Sequence, residues 1–227
     1  MIAIIGAMEI EVNALKSKLT SCEDSVVSNI KITKGKMGEQ EVVLALSGVG
    51  KVNASMTTTL LLSTFDIEYV INIGTAGGLK ETQEVLDLVI AKEIIQHDYD
   101  TSGLDGDEGY GIISYSDETL IEKALAVLAE ETHTIWVGAI ASGDSFVHKM
   151  SQVNTIKDHF PEVIACEMEA GAIAFVCNHF KIPCIILRSL SDNAYHTNSE
   201  MDFMEYAIQA SERSAMFCES FIKYDVK

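Results

Sequence analysis

Three acidic positions stand where apolar runs end, the places at which an α/β chain presents side chains for chemistry. Glu11 falls in the first turn of a helix expected after the apolar run Ile2 to Gly6. Glu167-Met168-Glu169 follows Val163-Ile164-Ala165-Cys166, and Asp192 closes Ser189-Leu190-Ser191-Asp192 behind the apolar run from Cys184. Each has an ordinary explanation. Acids favour the first turn of a helix, because its N-terminus carries partial positive charge. An Asp after a strand commonly caps a helix or makes an Asx turn. Together, however, they put three carboxylates at strand ends of one α/β sheet, where a binding crevice is expected. Carboxylates so placed can give or take protons.

Two other motifs fail on inspection. Gly48-Val49-Gly50-Lys51-Val52 has the glycines and lysine of a phosphate loop. That loop needs Gly where Ala45 stands and Ser or Thr where Val52 stands, so a glycine turn before a helix explains it better. Asp98-Tyr99-Asp100-Thr101-Ser102-Gly103 starts like a calcium loop with Gly at position six. Its twelfth position is Gly109 rather than an acid, and a strand precedes it, so it reads as a solvated acidic loop. His97 has no second His at a useful spacing and reads as a hydrogen-bonding or structural residue.

The net charge of −18 disfavours nucleic acid and anionic membranes as partners, since both are bound through Lys and Arg. A small neutral or zwitterionic substrate suits it better. Five cysteines, none in a CxxC pair, read as reduced buried thiols of a cytoplasmic protein. The apolar N-terminus is too short for a signal peptide, and no run is long enough to span a bilayer.

The elements that must hold these residues can be read from apolar periodicity. Strands are expected at Ile2–Gly6, 26–34, 41–47, Glu68–Ile73, Leu86–Ile95, Ile135–Ala141 and Cys184–Leu190. Helices are expected at Glu9–Leu19, Val52–Thr64, Asp117–Glu130 and Met201–Lys223, and Cys166–Asn178 starts extended and turns helical. Asp98–Gly111 reads as a polar loop. Strands alternating with helices imply α/β layers, and the early strand pair implies a mixed sheet. With 227 residues and no linker, 1–227 reads as one domain.

Six segments, in order along nearly the whole chain, carry a resemblance. They are Gly6-Ala7-Met8-Glu9-Ile10-Glu11-Val12, Ser47-Gly48-Val49-Gly50-Lys51, Asn72-Ile73-Gly74-Thr75-Ala76-Gly77-Gly78, Ser142-Gly143-Asp144-Ser145-Phe146, Glu167-Met168-Glu169-Ala170 and Arg188-Ser189-Leu190-Ser191-Asp192. The chain resembles 5′-methylthioadenosine/S-adenosylhomocysteine nucleosidases. This resemblance implies a three-layer αβα sandwich with a mixed central sheet, the fold of purine nucleoside phosphorylases. It implies hydrolysis of the N-glycosidic bond, with a nucleoside and water as substrates and no cofactor or metal. Asp192 would protonate N7 of adenine, Glu11 would hold the attacking water, and Glu169 would bind the ribose hydroxyls with Met168 against the sugar. Phe146 would stack on adenine and Val147 would bond it through its backbone. Met8, Val49, Thr75 and Ser191 would line the site, Ser191 helping to place Asp192, and Phe203 would border the 5′ group. In this family a loop reaches the neighbouring subunit's 5′ pocket; Thr101 and Leu104 are the matching residues here, and a homodimer is expected.

Three positions depart from the pattern. Thr75 replaces a frequent Ser, Gly171 replaces a frequent Thr, and Leu104 stands where an aromatic is common. Three rival readings stay open: a phosphorolytic enzyme of the same fold, a futalosine-type nucleosidase, and a silent nucleoside-binding protein. Phosphorolysis needs a phosphate clamp, usually Arg. The chain has only Arg188 and Arg213, both late in the sequence.

Overall fold

The computed structural model describes residues 1–129, 134–195 and 199–224. The strands are β1 (Ile2–Gly6), β2 (Thr20–Val27), β3 (Ile30–Met37), β4 (Gln40–Leu46), β5 (Tyr69–Gly78), β6 (Leu88–Asp100), β7 (Tyr110–Tyr115), β8 (Ile135–Ser142), β9 (Ala165–Glu167) and β10 (Cys184–Asn193). The helices are α1 (Glu9–Lys16), α2 (Lys51–Thr64), α3 (Ser102–Asp105), α4 (Glu118–Val127), α5 (Met150–His159), α6 (Ala170–Phe180) and α7 (Ser199–Lys223).

All ten strands join one mixed sheet in the order β10-β6-β8-β9-β5-β1-β4-β3-β2, with β7 on β6. A further parallel pairing of β10 with β5 closes the first five strands on themselves. β1 lies parallel between β4 and β5 and is buried at all five positions, so its sequence is continuously apolar rather than alternating. Successive side chains of β1 still point to opposite faces. Ala3 and Ile5 pack in a core with Ala54 and Leu61 of α2 and Ile173 of α6. Ile2 and Ile4 pack with Leu15 of α1, Ile121 of α4 and Phe221 of α7. Helices therefore cover both faces, which is the expected αβα sandwich with a mixed sheet.

Several boundaries differ from the sequence reading. The strand pair expected at 26–34 and 41–47 is present as β3 and β4, but 26–34 is not one strand: it takes in the end of β2, a turn at Ser28 and Asn29 with φ of 49° and 65°, and the first half of β3. β2 itself is polar and almost wholly exposed, so it offers no apolar pattern to detect. α1 stops at Lys16, three residues early. The expected loop 98–111 contains the end of β6, the single turn α3 and the start of β7. α5 was not anticipated. β5 and β10 run beyond their apolar cores to Gly78 and Asn193, so Asp192 lies inside a strand rather than after one. Asp117 does cap α4 as expected, accepting from the Thr119 and Leu120 N–H groups. That helix ends at Val127 with Leu128 as its C-cap, short of the expected Glu130, which itself lies outside the described residues.

Candidate active site

A cavity of about 420 Å³ opens at the C-terminal ends of β1, β5, β9 and β10. Its wall includes Met8, Glu11, Val49, Thr75, Phe146, Val147, Met168, Glu169, Ser191, Asp192 and Phe203, each a residue expected there from the sequence. Thr101 and Leu104 do not reach it. They sit at and within α3, and Leu104 is 88% exposed.

Glu11 is held from three sides. Its Oε2 accepts the Ala7 and Met8 N–H groups at 2.8 and 3.0 Å, and its Oε1 accepts the Thr75 N–H at 3.1 Å. The first pair is the helix-start role that its position suggested; the bond to β5 aims the same carboxylate into the cavity. Gly74 makes this possible, because a Cβ there would stand 2.7 Å from Glu11 Oε1. Burial drives the Glu11 carboxyl above the ordinary carboxylate range, while Arg188 and the three backbone donors oppose that shift.

Asp192 is fixed by a bulge. The β5–β10 register runs from Leu190 opposite Ala76 to Asp192 opposite Gly77, leaving Ser191 as the extra residue. Ser191 Oγ lies 2.9 Å from Asp192 Oδ1 and donates to it. A Cβ on Gly77 would approach Asp192 Oδ2 to 3.1 Å, so the bare backbone of β5 gives the carboxylate its room. Asp192 is 1% exposed.

The two acids of Glu167-Met168-Glu169 divide their tasks. Glu167 Oε2 accepts the Glu169 and Ala170 N–H groups at 2.9 and 2.8 Å and the Arg188 guanidinium at 2.7 Å. It is therefore the helix-start acid. Glu169 makes no cap and turns to accept the Gly50 N–H at 2.9 Å. Burial, reinforced by the negative charge of Glu167, pushes the Glu169 carboxyl up to about 8. Arg188 is buried, and its Nη2 also donates to Asn72 Oδ1 at 2.5 Å. Its head group is committed beneath the site, and among the described residues no Lys or Arg lines the cavity.

The apolar wall is Phe146, Val147, Met168, Val49 and Phe203. Phe146 and Phe203 meet edge to face, with centroids 5.4 Å apart and planes at 68°. Flat apolar walls with carboxylates on one side suit a planar heterocycle joined to a polyhydroxyl group. The sequence reading named no role for Cys166, which also lines the cavity; its Sγ is 3.7 Å from the Gly77 carbonyl, and burial, then Asp192 and Glu167, hold it as a thiol. Its place beside Glu167 at the strand end was the available signal. No group of three potential metal ligands occurs among the described residues.

The fold and this cavity define a class, and residues 1–223 match the family model of the phosphorylase superfamily. Within it, the chain belongs to the 5′-methylthioadenosine/S-adenosylhomocysteine nucleosidase family. A curated nucleosidase of that name from Staphylococcus haemolyticus is 40% identical over 98% of this chain and 99% of its own. The crystal structure of the Neisseria meningitidis nucleosidase, in complex with methylthio-immucillin-A, is 35% identical, covers 98% of both chains and has a TM-score of 0.92. The native futalosine hydrolase of Helicobacter pylori is also similar, with 31% identity, coverage of 97% and 96%, and a TM-score of 0.91.

Proposed function

We propose that this protein hydrolyses the N-glycosidic bond of 5′-methylthioadenosine and S-adenosylhomocysteine, releasing adenine and the 5-thio-substituted ribose. The observation that carries this reading is the convergence of Glu11, Glu169 and Asp192, from three distant parts of the chain, on one cavity with no cationic side chain in its described wall. A phosphate dianion would need such a cation, so water is the nucleophile that fits.

Adenine is a poor leaving group until N7 is protonated. Asp192 is the acid for that step, and Ser191 fixes its carboxyl at the cavity wall by donating to Oδ1. As the bond breaks, the sugar gains oxocarbenium character. Glu169 accepts hydrogen bonds from the ribose hydroxyls; these bonds and the developing sugar cation favour its ionised form against the upward push of burial and Glu167, and the anion stabilises that positive charge, with Met168 packed against the ring. Glu11 orients the water on the opposite side and takes its proton. Phe146 stacks on adenine and Val147 offers its backbone; Met8, Val49 and Thr75 complete the wall, and Phe203 borders the 5′ group. The whole of 1–227 is one catalytic domain. It works as a homodimer in the cytoplasm, with Thr101 and Leu104 completing the partner's 5′ pocket. No helix of the described residues is long and apolar enough to cross a membrane.

Chromatography of the products from methylthioadenosine, S-adenosylhomocysteine, 5′-deoxyadenosine and aminofutalosine, with and without phosphate, tests the reading. Adenine and a free thio-sugar at equal rates in both buffers are expected from the first two. A pentose 1-phosphate as the major product would mean phosphorolysis, and turnover confined to aminofutalosine would move the chain to the futalosine branch.

A further inference from the structure

The two segments that fail as a phosphate loop and as a calcium loop meet in space. Lys51 opens α2, Asp98 lies near the end of β6, and Asp144 follows β8 in the loop that carries Ser145, Phe146 and Val147. Three contacts join them in a closed triangle. The Lys51 ammonium bonds the Asp98 carboxylate. Asp98 Oδ2 accepts the Asp144 N–H at 2.8 Å. Asp144 Oδ1 accepts the Lys51 N–H at 2.7 Å, which also puts a negative charge at the positive end of the 14-residue α2. Lys51 donates twice, Asp98 accepts twice and Asp144 does one of each, so loss of the Asp98 carboxylate opens two of the three sides and loss of the Lys51 ammonium opens one.

The triangle is wired to the cavity on both flanks. Gly50, next to Lys51, donates its N–H to Glu169, and Val49 before it lines the cavity. On the other flank, Phe146 and Val147 follow Asp144 by two and three residues and form the wall assigned to the base. There is little freedom elsewhere in this loop. A Cβ on Gly143 would strike the His97 ring, 2.3 Å from Nε2, so the chain before Asp144 is pressed against β6. The Lys51 side chain is only 15% exposed, which makes its ion pair better shielded than an ordinary surface bridge.

We propose that Lys51, Asp98 and Asp144 form a positioning triangle that sets the distance between the base wall at Phe146–Val147 and the ribose-binding Glu169. None of the three touches the substrate. The triangle acts through Gly50 on one side and through the 145–147 backbone on the other, so it controls how well a nucleoside spans the two subsites. This inference rests on the nucleosidase reading of the cavity.

Steady-state adenine release from methylthioadenosine should be compared for the wild-type protein, Asp98→Ala, Asp98→Asn, Lys51→Met and Lys51→Arg, with an unfolding midpoint for each. Opening the triangle misplaces two bound groups relative to each other, so KM should rise about tenfold in Asp98→Ala, which opens two sides, and about fivefold in Lys51→Met, which opens one, with kcat changed less than about threefold in both. Asp98→Asn keeps an acceptor and should fall between, and it serves if the alanine variant does not fold. Lys51→Arg keeps the charge and should restore KM to within about twofold of wild type. A purely structural role would lower kcat in step with the folded fraction and leave KM alone. That pattern, or an unchanged KM in folded Asp98→Ala and Lys51→Met, would overturn the proposal. If the wild-type protein releases no adenine, the nucleosidase reading is what fails. Calorimetric binding of adenine to the same variants then decides the triangle by itself: weaker binding in Asp98→Ala and Lys51→Met supports it, and equal binding refutes it.

Discussion

The carboxylate end of the cavity and the α3 turn are built on opposite principles. Glu11 and Asp192 are 3% and 1% exposed, one held by three backbone N–H groups and the other beside a strand bulge. Leu104, in contrast, is 88% exposed, and the Thr101 hydroxyl is spent within its own turn, 2.7 Å from Asp105 Oδ2. In the proposed function the reacting groups come from one chain, whereas the proposed 5′ pocket takes its last side chains from a second copy. The difference teaches where each property can change. Under that proposal bond cleavage would depend on atoms fixed by the sheet, and selectivity for the 5′ substituent would depend on an exposed turn.

The largest effect expected from this contrast is that of Glu11→Gln. A neutral amide orients water poorly and cannot take its proton, so turnover should fall by about 10²-fold or more. The unfolding midpoint should move by no more than ~4 °C, since the side chain keeps its shape and part of its bonding. Turnover and midpoint measured on one preparation check this. Next come two glycines, one from each region. Gly74→Ala drives a Cβ to 2.7 Å from Glu11 Oε1 and should cost about tenfold in kcat. Gly103→Ala meets nothing within 4 Å and should leave stability unchanged or raised by up to ~1 kcal/mol in chemical unfolding. Equal losses in both would erase the contrast.

A smaller effect concerns pH. Glu169, raised to about 8 in the folded protein against an unfolded value near 4.5, binds its proton more readily when folded. Its contribution to stability is therefore present below pH ~4.5 and is lost as pH rises towards 8. Glu169→Gln should match the wild type at low pH and exceed it by about 1–2 kcal/mol at pH 8.5, while turning over more slowly. Urea melts at the two pH values measure it; identical pH dependence in both proteins would contradict it. The smallest effect is that of Leu104→Ala. It should raise KM about threefold for nucleosides with a 5′ thioether and leave adenosine unaffected, as the loss of a few buried methylene groups implies. Steady-state rates on the two substrates decide.

Much of this was legible in the sequence where chemistry and fold use the same residues. Gly74 and Gly77 mark both a strand end and the room needed by Glu11 and Asp192. Buried β1 announced itself by the unbroken apolar run Ile2 to Gly6. What was not legible depends on pairing across distance. β2 is polar on both faces and is a strand only because β3 lies beside it. Asp192 read as a residue beyond its strand, because the bulge at Ser191 is created by the register against β5. Position alone left Glu167 and Glu169 as equivalent helix-start acids; the family resemblance singled out Glu169, and the structure gives the physical difference, with Arg188 claiming Glu167 and Gly50 the other. Lys51 and Asp98 each looked incidental because the partner that gives either a purpose is 47 residues away.

If Asp192 supplies the proton to the leaving base, the effect of removing it must depend on whether the leaving group needs one. Asp192→Asn should be assayed against methylthioadenosine and against the matching 5-methylthioriboside of p-nitrophenol, whose anion departs without protonation. A loss of about 10²-fold or more is expected on the nucleoside and less than about fivefold on the p-nitrophenyl substrate. A comparable loss on both substrates, or near wild-type turnover of the nucleoside, would contradict that role for Asp192.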